Sequence, residues 1–187
     1  MAERSRTKYT ILGMLAIDDQ TGYEIVKMIQ SSTHYFWSES EGQIYPALAQ
    51  CVTEGFATCK EEQSEKIKRT KKVYSITAKG KKILSAWLEK EPQSTLVRNE
   101  LLLKLFFGIN ADLKDSIHHV VHRQKEIEAE LELYKNLHKS LTTEHKDSPH
   151  LKYWLITLNC GIRSSKAELA WCKETLKTLE REHTNAK

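Results

Sequence analysis

The sequence predicts a mainly α-helical chain with one small β hairpin, divided into a compact amino-terminal part and a long helical carboxy-terminal part. Three observations carry this. Ser40 and Gln43 stand at capping-box spacing just ahead of Ile44, Leu48, Cys51 and Val52, which fall on one helical face. Two segments, residues 56–60 and 73–76, are rich in β-branched and aromatic residues and flank a polar, cation-rich stretch. Further on, apolar residues advance by fours and threes through two long segments, the spacing of a coiled-coil seam.

Taken in order, Tyr9 to Ile17 predicts an apolar first helix, and Thr21 caps a second that holds Tyr23, Ile25, Val26 and Ile29. The third starts at Ser40. Away from its apolar stripe it carries Gln43, Tyr45, Ala49 and Gln50, whose amide and hydroxyl groups suit bases and phosphates. Pro46 breaks a local rule, because a proline inside a helix costs roughly 3 kcal/mol; it either kinks the first turns or marks the true start. Gly55 supplies the stop, two strands follow around a polar tip from Glu61 to Lys72, and Thr77 caps a fourth helix with Ile83, Leu84, Trp87 and Leu88.

A helix-turn-helix followed by two strands with a basic tip makes a winged helix, in which the third helix enters the major groove and the wing lies along the backbone of the duplex. On this reading Gln43 and Tyr45 read or position the duplex. Ser40 and the helix amino terminus, with Pro46 in its first turns, meet a phosphate, while Lys66, Lys68, Arg69 and Lys71 hold the flanking backbone.

Residues 91–96 form a short polar linker with a helix-breaking proline, which sets a boundary between a domain at 1–91 and one at 97–183. In the second, Leu113, Ile117, Val120, Gln124, Ile127, Leu131, Tyr134, His138 and Leu141 make one seam, residues 142–149 break it, and a second seam runs from Leu151 through Leu155, Leu158, Ile162, Ser165, Leu169, Cys172 and Leu176 to Leu179. Two long helices joined by a polar turn predict an antiparallel hairpin. Alone, it would leave apolar surface wet, so a second copy is the expected cover, through Leu131, Leu155, Leu158, Ile162, Leu169 and Leu176, with Gly161, Ser164, Ser165 and Ala167 allowing close approach. The bland alternative is that both helices pack only on their own domain.

Composition bounds the chemistry. A chain of 187 residues with 40% hydrophobic and 29% charged residues is that of an ordinary soluble protein; it has no apolar run of membrane-span length and no signal-peptide core at its start, so the cytoplasm is expected. The net charge of +4 is too small to demand nucleic acid by itself, but five cations fall between Lys66 and Lys72. Four cysteines, Cys51, Cys59, Cys160 and Cys172, show no CxxC pattern and read as buried thiols. His118 and His122 are four apart, yet no acid at a telling interval completes a metal site, and neither a GxSxG elbow nor a phosphate-binding glycine loop is present. Neither catalysis, a metal nor a cofactor is expected. Aromatic residues, chiefly Trp37, Trp87, Phe107 and Trp154, read mostly as core and alternatively as the lining of a pocket for a flat effector between domains or subunits. A protein-interaction adaptor built on the same folds, without DNA, is the rival reading.

The segment FWSESEGQIYPAL at 36–48, with TGYEI at 21–25 before it and KKVYSITAKG at 71–80 after it, resembles the PadR family of transcriptional regulators. LLKLFFG at 102–108 and GIRSSKAELAW at 161–171 are similar to the long carboxy-terminal dimerisation domain of one branch of that family. The resemblance implies a homodimeric regulator, expected to be a repressor on a palindromic operator, that phenolic acids or planar hydrophobic molecules could release from DNA. Ala49 and Gln50 stand where family members often have basic residues, and Cys51 where they have leucine, which implies weaker phosphate contact from this helix.

Overall fold

The structure, a computed structural model, describes residues 4–63, 70–93 and 98–185. It divides into two compact units, Met1–Ser94 and Thr95–Lys187. In the first, α1 (Arg4–Ile17), α2 (Gly22–Ser31), α3 (Glu41–Thr53) and α4 (Ala78–Leu88) surround a three-stranded antiparallel sheet of β1 (Gln20–Thr21), β2 (Ala57–Gln63) and β3 (Thr70–Ile76), in the order β1-β3-β2. Ile11, Leu12, Leu15, Ile25, Ile29, Ile44, Leu48 and Cys51 form its buried core, so the apolar stripes of α1, α2 and α3 face one another.

Local chemistry explains the boundaries. Thr21 accepts from the Glu24 backbone N–H while Glu24 takes the Thr21 N–H in return, a reciprocal cap that starts α2. α3 ends in a Schellman motif: Gly55 takes φ +72°, its N–H donates to Val52 O at 3.0 Å, and the Phe56 N–H donates to Cys51 O at 2.8 Å. Thr77 caps α4 by accepting from the Gly80 N–H. Gly80 is required for a different reason, because a Cβ there would stand 2.1 Å from the Phe56 carbonyl oxygen.

Several expectations need correction. α3 starts at Glu41 and contains Pro46, so the proline does not mark the start. The strands reach further than residues 56–60 and 73–76 suggest, because Glu61 pairs with Lys72 and Glu62 with Lys71, opposite charges that extend the ladder. The two-residue β1, paired through Gln20↔Tyr74 and Thr21↔Val73, has no counterpart among the expected elements. Cys51 and Cys172 are buried, but Cys59 lies on the outward side of β2 and Cys160 falls between seam positions of the last helix, so both are exposed. Burial pushes the Cys51 thiol up to about 11 and, in the same direction, raises Cys172.

The second unit contains α5 (Glu100–Phe106), then the long α6 (Leu113–Glu144) and α7 (Leu151–Asn185), which pack along their length. Val120, Ile127 and Tyr134 of α6, seven residues apart, meet Leu158, Ser165 and Cys172 of α7, also seven apart, as the buried strip of the hairpin. Leu158 is therefore buried inside its own chain, and Leu131, Leu169 and Leu176 pack against the same cluster. Gly161 lies against the Tyr134 ring, and Ser165 donates to Glu130. Leu158, Gly161 and Ser165 thus serve the hairpin itself, while Leu131, Leu169 and Leu176 are only partly covered by it; the heptad spacing does not say which helix it serves. Among the described residues no helix is long and apolar enough to cross a membrane.

Arg123 crosses between the two helices. Its Nε and Nη2 donate to the two carboxylate oxygens of Glu168, each at 2.8 Å, and Nη1 donates to Glu130 at 3.0 Å. The hydrogen bonds from Arg123 hold the Glu168 carboxyl below its ordinary range, and Arg123 itself is raised by the same pairing. A carboxylate with a lowered folded pKa stabilises the fold above its unfolded pKa and loses that effect as pH falls through the folded value. Urea unfolding should accordingly show the wild type losing about 1–2 kcal/mol more than Glu168→Gln between pH 6 and strongly acid solution. Equal acid limbs would show that the clamp adds no stability.

Candidate nucleic-acid interface

α3 presents a stripe of exposed residues, Glu41, Gly42, Tyr45, Pro46, Ala49, Gln50 and Thr53, opposite its buried Ile44, Leu48 and Cys51. The stripe contains no lysine or arginine. Gly42, Pro46 and Ala49 keep it low, so a flat surface can approach the helix closely, with Tyr45 and Gln50 standing out. Gln50 donates to Glu54, the residue that caps α3 at its end, at 2.6 Å. Pro46 lacks the N–H that would meet the Gly42 carbonyl one turn earlier, and so leaves that acceptor without its helical donor.

The amino terminus of α3 is built by Ser40 and Gln43. The Ser40 backbone N–H and hydroxyl both donate to Gln43 Oε1, at 3.0 and 2.9 Å. Gln43 is thereby committed to the cap through its oxygen, and its Nε2 takes no part in that cap. Glu41 in the first turn suits the helix dipole but opposes a phosphate at the same place.

The segment before α3 is held by an acid that sequence reasoning passed over. Glu39 is nearly buried and accepts from Thr7 Oγ1 at 3.0 Å, Thr10 Oγ1 at 3.5 Å and Trp37 Nε1 at 2.7 Å. Trp37, considered above for an effector pocket, thus has a structural partner, and the Arg6 guanidinium lies 5.8 Å over its ring. The signal was present as an acid just before a helix cap in an aromatic segment, where nothing local needs a charge.

On the wing, Lys71 lies 3.7 Å from Glu62, both about half exposed, an ion pair that competes with a phosphate for the same ammonium. Lys66, Lys68 and Arg69 lie outside the described residues, between the last ladder pair Gln63↔Thr70. Tyr23 of α2 is exposed with Lys27 6.0 Å over its ring.

The other aromatic candidates separate. Trp87 stacks on Tyr9, centroids 4.6 Å apart. Phe107 lines an open depression of 490 Å³ with Leu103, Lys104, Asp115, Ser116 and His119. Trp154 stacks on His150 at the other end of the hairpin and meets the edge of His145. Ser116 and His145 are about 40 Å apart along α6, so Phe107 and Trp154 cannot line one pocket within a single chain. His118 is exposed, and His122 lies 3.5 Å from Glu126; among the described residues no three His, Cys, Asp or Glu side chains converge on a metal position.

Comparison with known proteins decides the family. Residues 11–86 match the model of the transcriptional regulator PadR-like family, and residues 97–180 match that of the virulence activator alpha carboxy-terminal domain. The chain belongs to the PadR-like transcriptional regulators. The negative transcriptional regulator PadR of Bacillus subtilis is 29% identical over 94% of this chain and 98% of its own. The crystal structure of Bacillus subtilis PadR in complex with operator DNA superposes with a TM-score of 0.80, at 27% identity over 92% of this chain and 98% of that one. The same protein in complex with p-coumaric acid gives 0.74, at 26% identity over 94% and 96%. In this PadR-like chain the expected winged helix-turn-helix is present, and the family is one of regulators rather than enzymes.

Glu39 generates a prediction. Removing its carboxylate as Glu39→Ala leaves three donors without their acceptor and should lower the stability of the amino-terminal unit by about 2–4 kcal/mol in urea unfolding, whereas Trp37→Phe, which removes one donor, should cost about 1–2 kcal/mol. A neutral Glu39→Ala would show that the network does not hold the segment.

Proposed function

We propose that this chain is a ligand-responsive repressor that binds a two-fold-symmetric operator as a homodimer in the cytoplasm. The observation that carries the DNA reading is the low, cation-free stripe of α3 with Tyr45 at its centre, joined to a basic wing in a PadR-like chain. Phosphates are held chiefly by Lys66, Lys68, Arg69 and, once freed from Glu62, Lys71. Tyr45, with the Gln43 amide nitrogen, meets the groove. That the Bacillus subtilis relative crystallises with operator DNA supports the DNA reading, and that the same relative crystallises with p-coumaric acid supports a small aromatic effector.

A duplex selected by the wild-type chain from a random pool serves as the operator. Lys68→Ala with Arg69→Ala should weaken binding to selected and scrambled duplexes alike and flatten the salt dependence, by about 0.9 in logarithmic slope for each phosphate that no longer meets a cation. Tyr45→Ala should cost about 1–3 kcal/mol on the selected duplex and less on the scrambled one. In the same titration p-coumaric acid should release the selected duplex. No salt dependence at all would be the behaviour of a protein adaptor and would overturn the DNA reading.

The homodimer is supported by apolar surface that the hairpin does not use. Phe106 is 80% exposed and Ile109 is 96% exposed, with Leu102 and Leu103 beside them, and Tyr153 and Ile156 point away from the seam of α7. A second copy covers this surface, with Leu155 and Ile162, both half-buried, at its margin. Sedimentation at micromolar concentration should give a dimer for the wild type and a folded monomer for Phe106→Asp with Ile109→Asp. A wild-type monomer would refute the assembly.

A further inference from the structure

Gly22 opens α2 directly after the Thr21 cap and is buried. Its backbone is not in the left-handed region; Gly55 is the described glycine that is. Nothing in the conformation of the chain therefore asks for glycine here, and within a helix glycine is a poor choice. What asks for it is a neighbour. A Cβ on Gly22 would stand 2.7 Å from Tyr45 Cε1, 3.4 Å from Tyr45 Cδ1 and 3.6 Å from Leu48 Cδ2. The first distance is far inside carbon–carbon contact, so the ring and a methyl group cannot share that space. Leu48, fully buried, closes the seat from behind. Tyr45 remains 46% exposed, so the ring is gripped along one edge and open on the rest.

We propose that Gly22 is a positioning residue for DNA recognition: it seats the Tyr45 ring on the first turn of α2, so that the phenol is offered to the duplex in one fixed pose. The proposal rests on the reading of Tyr45 as a DNA contact. A ring seated before binding loses less rotamer freedom on docking than one free to swing. The seat also joins the two helices of the helix-turn-helix at the residue that leaves the protein surface. A methyl group at position 22 pushes the ring off its seat without touching any other candidate DNA-binding side chain.

The test is a double-variant cycle with Gly22→Ala, Tyr45→Ala and the two combined. Affinities are measured for the duplex selected by the wild-type chain and for a scrambled duplex, with thermal unfolding in parallel. Gly22→Ala should lower the ratio of selected to scrambled affinity by about tenfold, and the combined variant should lose no more than Tyr45→Ala alone, because once the ring is gone the methyl group has nothing to displace. A Gly22→Ala protein with the wild-type ratio, or losses that multiply in the combined variant, overturns the proposal while leaving Tyr45 a DNA contact. If Tyr45→Ala itself keeps the wild-type ratio, the reading of Tyr45 falls and the proposal with it. Should Gly22→Ala fail to fold, the combined variant decides: recovery of the fold with the discrimination of Tyr45→Ala supports the seat, and a chain that stays unfolded overturns it.

Discussion

One carboxylate organises the amino-terminal unit. Glu39 lies in the short stretch between the end of α2 and the cap of α3, and it draws together two hydroxyls of α1 and the indole of its own segment. A charge so nearly buried is tolerated only while its donors stay in place. The requirement works in both directions: the donors satisfy the carboxylate, and the carboxylate keeps the segment pressed to α1. Because Ser40 follows immediately, the first turn of α3 inherits that anchorage, and with it the height at which Tyr45 leaves the surface. The apolar faces of α1, α2 and α3 would pack at several small displacements of α3; the directed bonds to Glu39 admit one.

A similar relation holds in the helical hairpin. The buried strip of Val120, Ile127 and Tyr134 against Leu158, Ser165 and Cys172 supplies most of the cohesion, but a seven-residue repeat is nearly indifferent to a slip of one heptad. Arg123 is not. Its planar fork meets Glu168 on one helix and Glu130 on its own, and Ser165 meets Glu130 from the other side. A slip of seven residues would strand these groups, so the polar cluster sets the register that the apolar strip leaves open.

The fold was legible where the signals are local. Caps at Thr21, Ser40 and Thr77, the stop at Gly55 and the helical periods of α1 to α4, α6 and α7 could be read directly. β1 could not, since two residues have no period and acquire their strand character from β3. α5 was not set apart from the helical stretch that follows the linker, because its apolar residues, most of them exposed, show no single face. The heptad seams were seen, but a heptad names a face and not its occupant, which is why Leu158 and Gly161, read as dimer contacts, prove to belong to the hairpin. At the candidate interface, Tyr45 and Ser40 were legible from the amphipathic pattern. Glu39 and Gly22 were not, because each acts on an element distant in sequence, α1 for the one and α3 for the other. The glycine was visible only as one letter of a motif.

The absence of lysine and arginine from the exposed stripe of α3 has a consequence for how such a regulator searches a chromosome. Sequence-independent adhesion comes almost wholly from cations set against phosphates, and the exposed stripe of α3 offers none, while Lys71 of β3 already has Glu62 opposite it. If α3 is the helix that enters the groove, as proposed, it adds little to the grip on random duplex. Fewer molecules are then sequestered on the vast excess of unrelated sites, so that the same occupancy of one true site is reached with fewer copies of the protein per cell.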